Sequence, residues 1–170
     1  ACEGGFTVYL DTRTVRTPAK APFTLPTLAL AEACAAEWDA QEAQIDPAAM
    51  PFTRTANSAL DKVAVQHDEV AEMIAAYGDS DLTCYRADAP VELVARQAEA
   101  WDPLLDWAGE AFGARLEPRT GIMHAPQEAE ALARLRAEVS SLDAFRLAAF
   151  HDLVSLSGSL VIGLAVAHGH

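Results

Sequence analysis

Residues 91–113 carry one apolar stripe. Val94, Ala98, Trp101, Leu105, Ala108 and Phe112 recur at the 3.6-residue period, with charged residues between them. A stripe this long marks an amphipathic helix that has to bury one side against another layer. Pro103 interrupts it, because proline lacks an N–H and its ring meets the carbonyl four residues back. The expectation is a kink or break at Trp101-Asp102-Pro103, with Asp102 as the N-cap of a second helix. Almost everything after Phe52 shares this periodicity. Phe52, Ala56, Ala59, Leu60 and Val63 fall on one face, and Arg54, Asn57 and Asp61 on the opposite one. A next helix places Val70, Met73, Ile74 and Tyr77 together and is broken by Gly78-Asp-Ser-Asp81. Leu82-Thr-Cys-Tyr85 reads as a short strand. After a loop around Pro118–Pro126, helices are expected at about 126–138, 141–154 and 157–168.

The first 26 residues have a different rhythm. Phe6, Val8 and Leu10 alternate with Thr7 and Tyr9, the period of a strand. Asp11-Thr12-Arg13 suits a tight turn, Thr14–Thr17 a return strand, and Phe23–Leu25 a third. Pro26-Thr27 then opens a helix carrying Leu28, Ala31, Ala35 and Trp38, which must end before Asp46-Pro47. The expected fold is α+β: a small N-terminal antiparallel sheet with a helix, followed by a larger orthogonal helical bundle. The boundary is placed between residues 1–50 and 51–170, with strand 82–86 a candidate to join the N-terminal sheet.

Charge removes whole classes of function. Twelve Lys and Arg stand against 25 Asp and Glu, for a net charge of −13. Nucleic-acid binders need a basic footprint to displace counterions, and anionic membrane surfaces need the same. Twelve acids and four bases in residues 51–114 place −8 of the total there. The longest apolar run, Leu160–Ala167, is too short to span a bilayer. The three cysteines, Cys2, Cys34 and Cys84, form no CxxC pair. No basic-flanked apolar leader is visible, so reduced thiols in a reducing, cytoplasmic compartment are expected.

A search for catalytic patterns returns little. HExxH, GxSxG, the P-loop and GxGxxG are absent. Ser155-Leu-Ser-Gly-Ser159 lies in an apolar helix, where small residues let helices approach. His168-Gly-His170 reads as a chain end rather than a metal site. Cys84 and the Asp102/Asp106 pair leave a small hydrolase open, with a homo-oligomeric scaffold as a third alternative. Trp38, Trp101 and Trp107 each stand beside an acid. They fit either core anchors with carboxylates at the rim or an apolar partner surface with an acidic frame.

Several motifs in order carry a resemblance. They include Ala36-Glu-Trp-Asp-Ala-Gln41, Met50-Pro-Phe-Thr-Arg-Thr-Ala-Asn57, Asp81-Leu-Thr-Cys-Tyr-Arg86, Trp101-Asp-Pro-Leu-Leu-Asp-Trp107 and the stretch Leu153–Leu164. The chain resembles the assembly chaperones of the F-type ATP synthase that hold the free α subunit of the catalytic head. The resemblance implies no catalysis and no cofactor, and the histidine spacings themselves suggest no metal site. It implies a protein, monomeric when free, that covers the apolar surface later taken by the β subunit. In eukaryotes the family works in the mitochondrial matrix; this composition and the missing presequence look bacterial, so the cytoplasm is expected. The candidate partner-binding residues are Trp38, Arg54, Asn57, Asp61, Asp81, Arg86, Trp101, Asp102 and Trp107. Family members usually continue with a further charged segment bearing aromatics.

Overall fold

The computed structural model describes residues 4–170; Cys2 lies outside the described residues. The chain forms two units, Ala1–His67 with Asp143–Ala148, and Asp68–Leu142 with Ala149–His170.

The first unit begins with a two-residue hairpin. Strand β1 (Tyr9–Leu10) pairs antiparallel with β2 (Arg13–Thr14), Tyr9 opposite Thr14 and Leu10 opposite Arg13. Asp11 makes the turn at φ 54°, a left-handed conformation that aspartate tolerates better than most residues. The expected third strand is reduced to two isolated bridges, Phe6 with Leu25 and Arg16 with Pro22, because Pro22 and Pro26, on either side of Phe23–Leu25, have no N–H with which to extend a ladder. Helix α1 (Leu28–Asp39) starts where the sequence places it, with the Thr27 hydroxyl accepting from Leu30 N–H. It packs against α2 (Pro51–Ser58), which continues as a π-helical turn, Ala59–Val63. Val8, Val15, Phe23, Leu25, Ala31, Cys34 and Ala56 form the core, with Trp38, Leu60 and Phe145 packed on it.

Two expectations change here. The unit runs to His67 rather than ending at residue 50, because α2 is docked on α1 and capped by it. The 82–86 segment does not join this sheet. Leu82–Cys84 is a 3-10 turn, since the Asp81 carboxylate captures the Thr83 N–H, and only Tyr85–Arg86 is extended.

The second unit is helical. Helix α3 (His67–Ala75) passes into a 3-10 turn, Ala76–Ser80. Ile74 faces the core, whereas Met73, expected beside it, is exposed. Strand β3 (Tyr85–Arg86) pairs in parallel with β4 (Arg119–Thr120). Between them α4 runs unbroken over Val91–Phe112 with Pro103 inside it, so the predicted break does not occur. The stripe continues through the proline to buried Leu105 and Ala108, and Gly113 ends the helix at φ 65°. Helices α5 (Ala129–Ser140), α6 (Ala144–Ser157, of which the part from Ala149 belongs to this unit) and α7 (Leu160–Ala167) follow. Gly158, at φ 69°, and Ser159 form the turn between α6 and α7 instead of lying inside one helix; the Ser159 hydroxyl caps α7 by accepting from Ile162 N–H.

Candidate functional site

The Asp81–Arg86 and Trp101–Trp107 motifs, remote in sequence, meet in the second unit. Asp81 is fully buried, and its carboxylate is held by three donors. Oδ1 accepts from the Thr83 N–H at 2.9 Å and the Thr83 hydroxyl at 2.7 Å, and Oδ2 from the Val161 N–H at 3.0 Å. The last bond ties the 3-10 turn to the first turn of α7. The Leu82 N–H, donating to the Gly158 carbonyl at 3.0 Å, reinforces the tie.

Arg86 extends this framework outwards. Its Nε–H donates to the Thr83 carbonyl at 2.7 Å, and Nη2 lies 2.8 Å from Asp102 Oδ1. The guanidinium sits 5.4 Å from the centre of the Trp101 ring, within cation–π range. The Ala87 N–H donates to Gln97 Oε1 at 2.8 Å. Gln97 and Trp101 share one face of α4 at i, i+4 spacing, and Asp102 lies about 100° further round the helix, so the Arg86 segment is held along α4 at three points. The Arg86 side chain is 10% exposed and that of Asp102 42%, so the pair is half in water and contributes only about 1 kcal/mol. What faces solvent is a carboxylate and an indole on a rigid support.

Two sequence expectations are corrected by this geometry. Asp81 cannot touch a partner while the protein is folded, because its oxygens are enclosed and used internally. Asp102 is no helix cap. It lies mid-helix and pairs with Arg86.

Trp107 sits in an aromatic cluster. Phe112 meets it edge-on at 5.2 Å, and the His170 ring stacks on it at 4.9 Å. His168 packs edge-on against Phe112 at 5.2 Å. The two terminal histidines, expected as a bare chain end, thus cover part of α4.

In the first unit, Arg54, Asn57 and Asp61 divide by role. Arg54 is exposed and has no partner among the described residues. Asp61 Oδ2 accepts from the Ala19 N–H at 3.0 Å, fastening the loop after β2 to the π turn. Asn57 Oδ1 and Asp61 Oδ1 are buried without a partner among the described residues. Trp38 leans on the core. Glu37, which the sequence reading passed over, accepts from the Phe52 and Thr53 N–H groups at 2.7 and 2.8 Å. It supplies the N-cap that α2 lacks, since Met50 offers no acceptor before Pro51. A helix start with no capping residue of its own was the available signal. His124 was also missed. It bridges Tyr85 Oη (3.3 Å) and Asp79 Oδ2 (3.3 Å), pinning the loop after β4.

The hydrolase alternative finds no support at either named site. Asp102 and Asp106 are each paired with a separate arginine, Arg86 and Arg115. Burial, with the nearby Asp81 charge, pushes the Cys84 thiol up to about 11, so at neutral pH it is neither ionised nor accessible. Native protein at pH 8 should therefore resist iodoacetamide at Cys84 and label there only on unfolding; rapid native labelling would restore the nucleophile. An unfolded thiol ionises from its ordinary value of 9.0, the folded one only near 11, so stability falls as pH rises across that interval.

The sequence profile of the ATP12 chaperone protein matches residues 1–109. The chain belongs to the ATP12 chaperone family. The crystal structure of Atp12 from Paracoccus denitrificans is 57% identical, with a TM-score of 0.94 over 98% of this chain and 71% of that one. A point mutant of the P. denitrificans Atp12p gives 56% and 0.96, over 99% of this chain and 72% of that one. A candidate chaperone from Agrobacterium tumefaciens gives 45% and 0.93, over 98% of this chain and 63% of that one. The matched span takes in the positions of Glu37, Arg86 and Asp102. No helix among the described residues of this ATP12 chain is long and apolar enough to cross a membrane.

Proposed function

We propose that this chaperone serves assembly of the F-type ATP synthase by binding the unassembled α subunit and shielding its apolar interface until the β subunit replaces it. The observation that carries the reading is identity of 57% to an Atp12 structure across 98% of the chain. The physical requirements of a holding chaperone agree with it. Such a protein needs a rigid scaffold, apolar or aromatic side chains that reach solvent, and solubility when empty. The interlocked Asp81–Arg86 segment supplies the first, half-buried Trp101 contributes to the second, and the net charge of −13 supplies the third.

We place its work in the bacterial cytoplasm as a monomer between clients. The test is co-purification with isolated α subunit, with assembled ATP synthase as control. Wild-type protein should retain free α and ignore the assembled enzyme. Affinity should weaken roughly three- to tenfold between low and high salt without vanishing, as expected when acidic side chains steer a partner held mainly by apolar contact. Equal retention of assembled enzyme would overturn the reading, and an affinity indifferent to salt would remove the role of the acidic frame.

A further inference from the structure

The hairpin of the first unit leaves one edge unpaired. Val15 N–H donates to the Val8 carbonyl at 3.0 Å, and Leu10 and Arg13 close the two-residue turn. Tyr9 opposite Thr14 is therefore the non-hydrogen-bonded pair of the ladder. Backbone groups alternate in direction along a strand, so the N–H and C=O of Thr7 and Tyr9 point away from β2. Among the described residues nothing pairs with them.

A cleft of about 660 Å³ runs beside this segment. Val8, Tyr9 and Leu10 line one side, and the C-terminal half of α1, including Trp38, lines the other. Neither residue of β2 lines it, which puts it on the open side of β1. Tyr9 is 58% exposed and Leu10 41%. The Trp38 indole N–H is buried and has no acceptor among the described residues. Asp11 and Asp39 add two carboxylates to the lining.

We infer that this cleft takes an extended, basic segment of a client protein as an added strand on β1. Main-chain donors and acceptors of Thr7 and Tyr9 recognise another backbone, the edge-strand mode of peptide capture. Asp11 and Asp39 select a positively charged segment. That the client is the α subunit rests on the function proposed above; the capture mode does not.

Tyr9→Pro tests the mode directly. It deletes an N–H that takes no part in the β1–β2 ladder, and proline is tolerated on edge strands. The probes are overlapping 15-residue peptides spanning the α subunit, together with a library of arbitrary basic peptides. Hydrogen exchange at the Thr7 and Tyr9 amides is read alongside binding. At least one basic peptide should slow exchange at both amides tenfold or more. Tyr9→Pro should weaken that peptide at least tenfold with little change in Tm, and methylation of the peptide's bonding amides should do the same. If no peptide protects these amides, or if Tyr9→Pro binds like wild type, the inference is overturned. Whole α subunit retained equally by wild type and Tyr9→Pro overturns the inference and leaves the chaperone reading standing. Arbitrary basic peptides protecting the edge while α fails to bind supports the cleft and overturns the client.

Discussion

Asp81→Ala should destabilise the protein by about 3–5 kcal/mol. The substitution removes one charged acceptor and strands three donors, the Thr83 N–H, the Thr83 hydroxyl and the Val161 N–H. All lie around a position with no solvent exposure, so water cannot replace the lost oxygens without opening the structure. In a chain of 170 residues this corresponds to a fall in Tm of about 10 °C. Asp81→Asn keeps one carbonyl oxygen and should lose less, roughly 1–3 kcal/mol. Thermal and urea unfolding of the two variants, with hydrogen exchange at Val161, provide the check. A loss under 1 kcal/mol for the alanine variant would show that the enclosed carboxylate is replaceable.

Gly163→Ala should also destabilise, against the usual trend. Alanine is favoured over glycine in a helix by about 1 kcal/mol. At this position, however, a Cβ would stand 2.7 Å from Val154 Cγ2 and 3.0 Å from the Phe150 ring. Val154 is 0% exposed and Phe150 2%, so neither has free space to move into. Close approach of α6 and α7 therefore depends on a missing side chain. A net loss of about 1–3 kcal/mol is expected for alanine, with a larger loss for leucine. Calorimetric Tm values for the pair decide it. An alanine variant as stable as wild type would mean that the two helices separate without cost.

Where signals were local and redundant, the sequence was legible. Thr27 after Pro26 marked the start of α1, and Asp11-Thr12 marked the hairpin turn. The stripe from Val94 to Phe112 named the face of α4 that packs, and that stripe prevailed over Pro103. Packing at Leu105 and Ala108 holds the helix together across one missing hydrogen bond. Long-range partners were not legible. Asp81 looked like a surface acid because one of its three donors, the Val161 N–H, lies 80 residues away. Glu37 lay off the apolar stripe of its own helix, and its task became visible only when α2 was seen beginning beside it. Leu82–Cys84 reads as a strand by composition, yet one side-chain bond from Asp81 to Thr83 curls it into a turn.

The first unit recruits Asp143–Ala148, and Phe145 packs against a core otherwise built before residue 68. On the ribosome that core stays incomplete while some 75 further residues are made, since a chain emerges from one end only. The strand edge and cleft beside β1 are thus synthesised long before the unit carrying them can close. Fragments ending near His67 would be poor stand-ins for the first unit, because they lack its last structural piece.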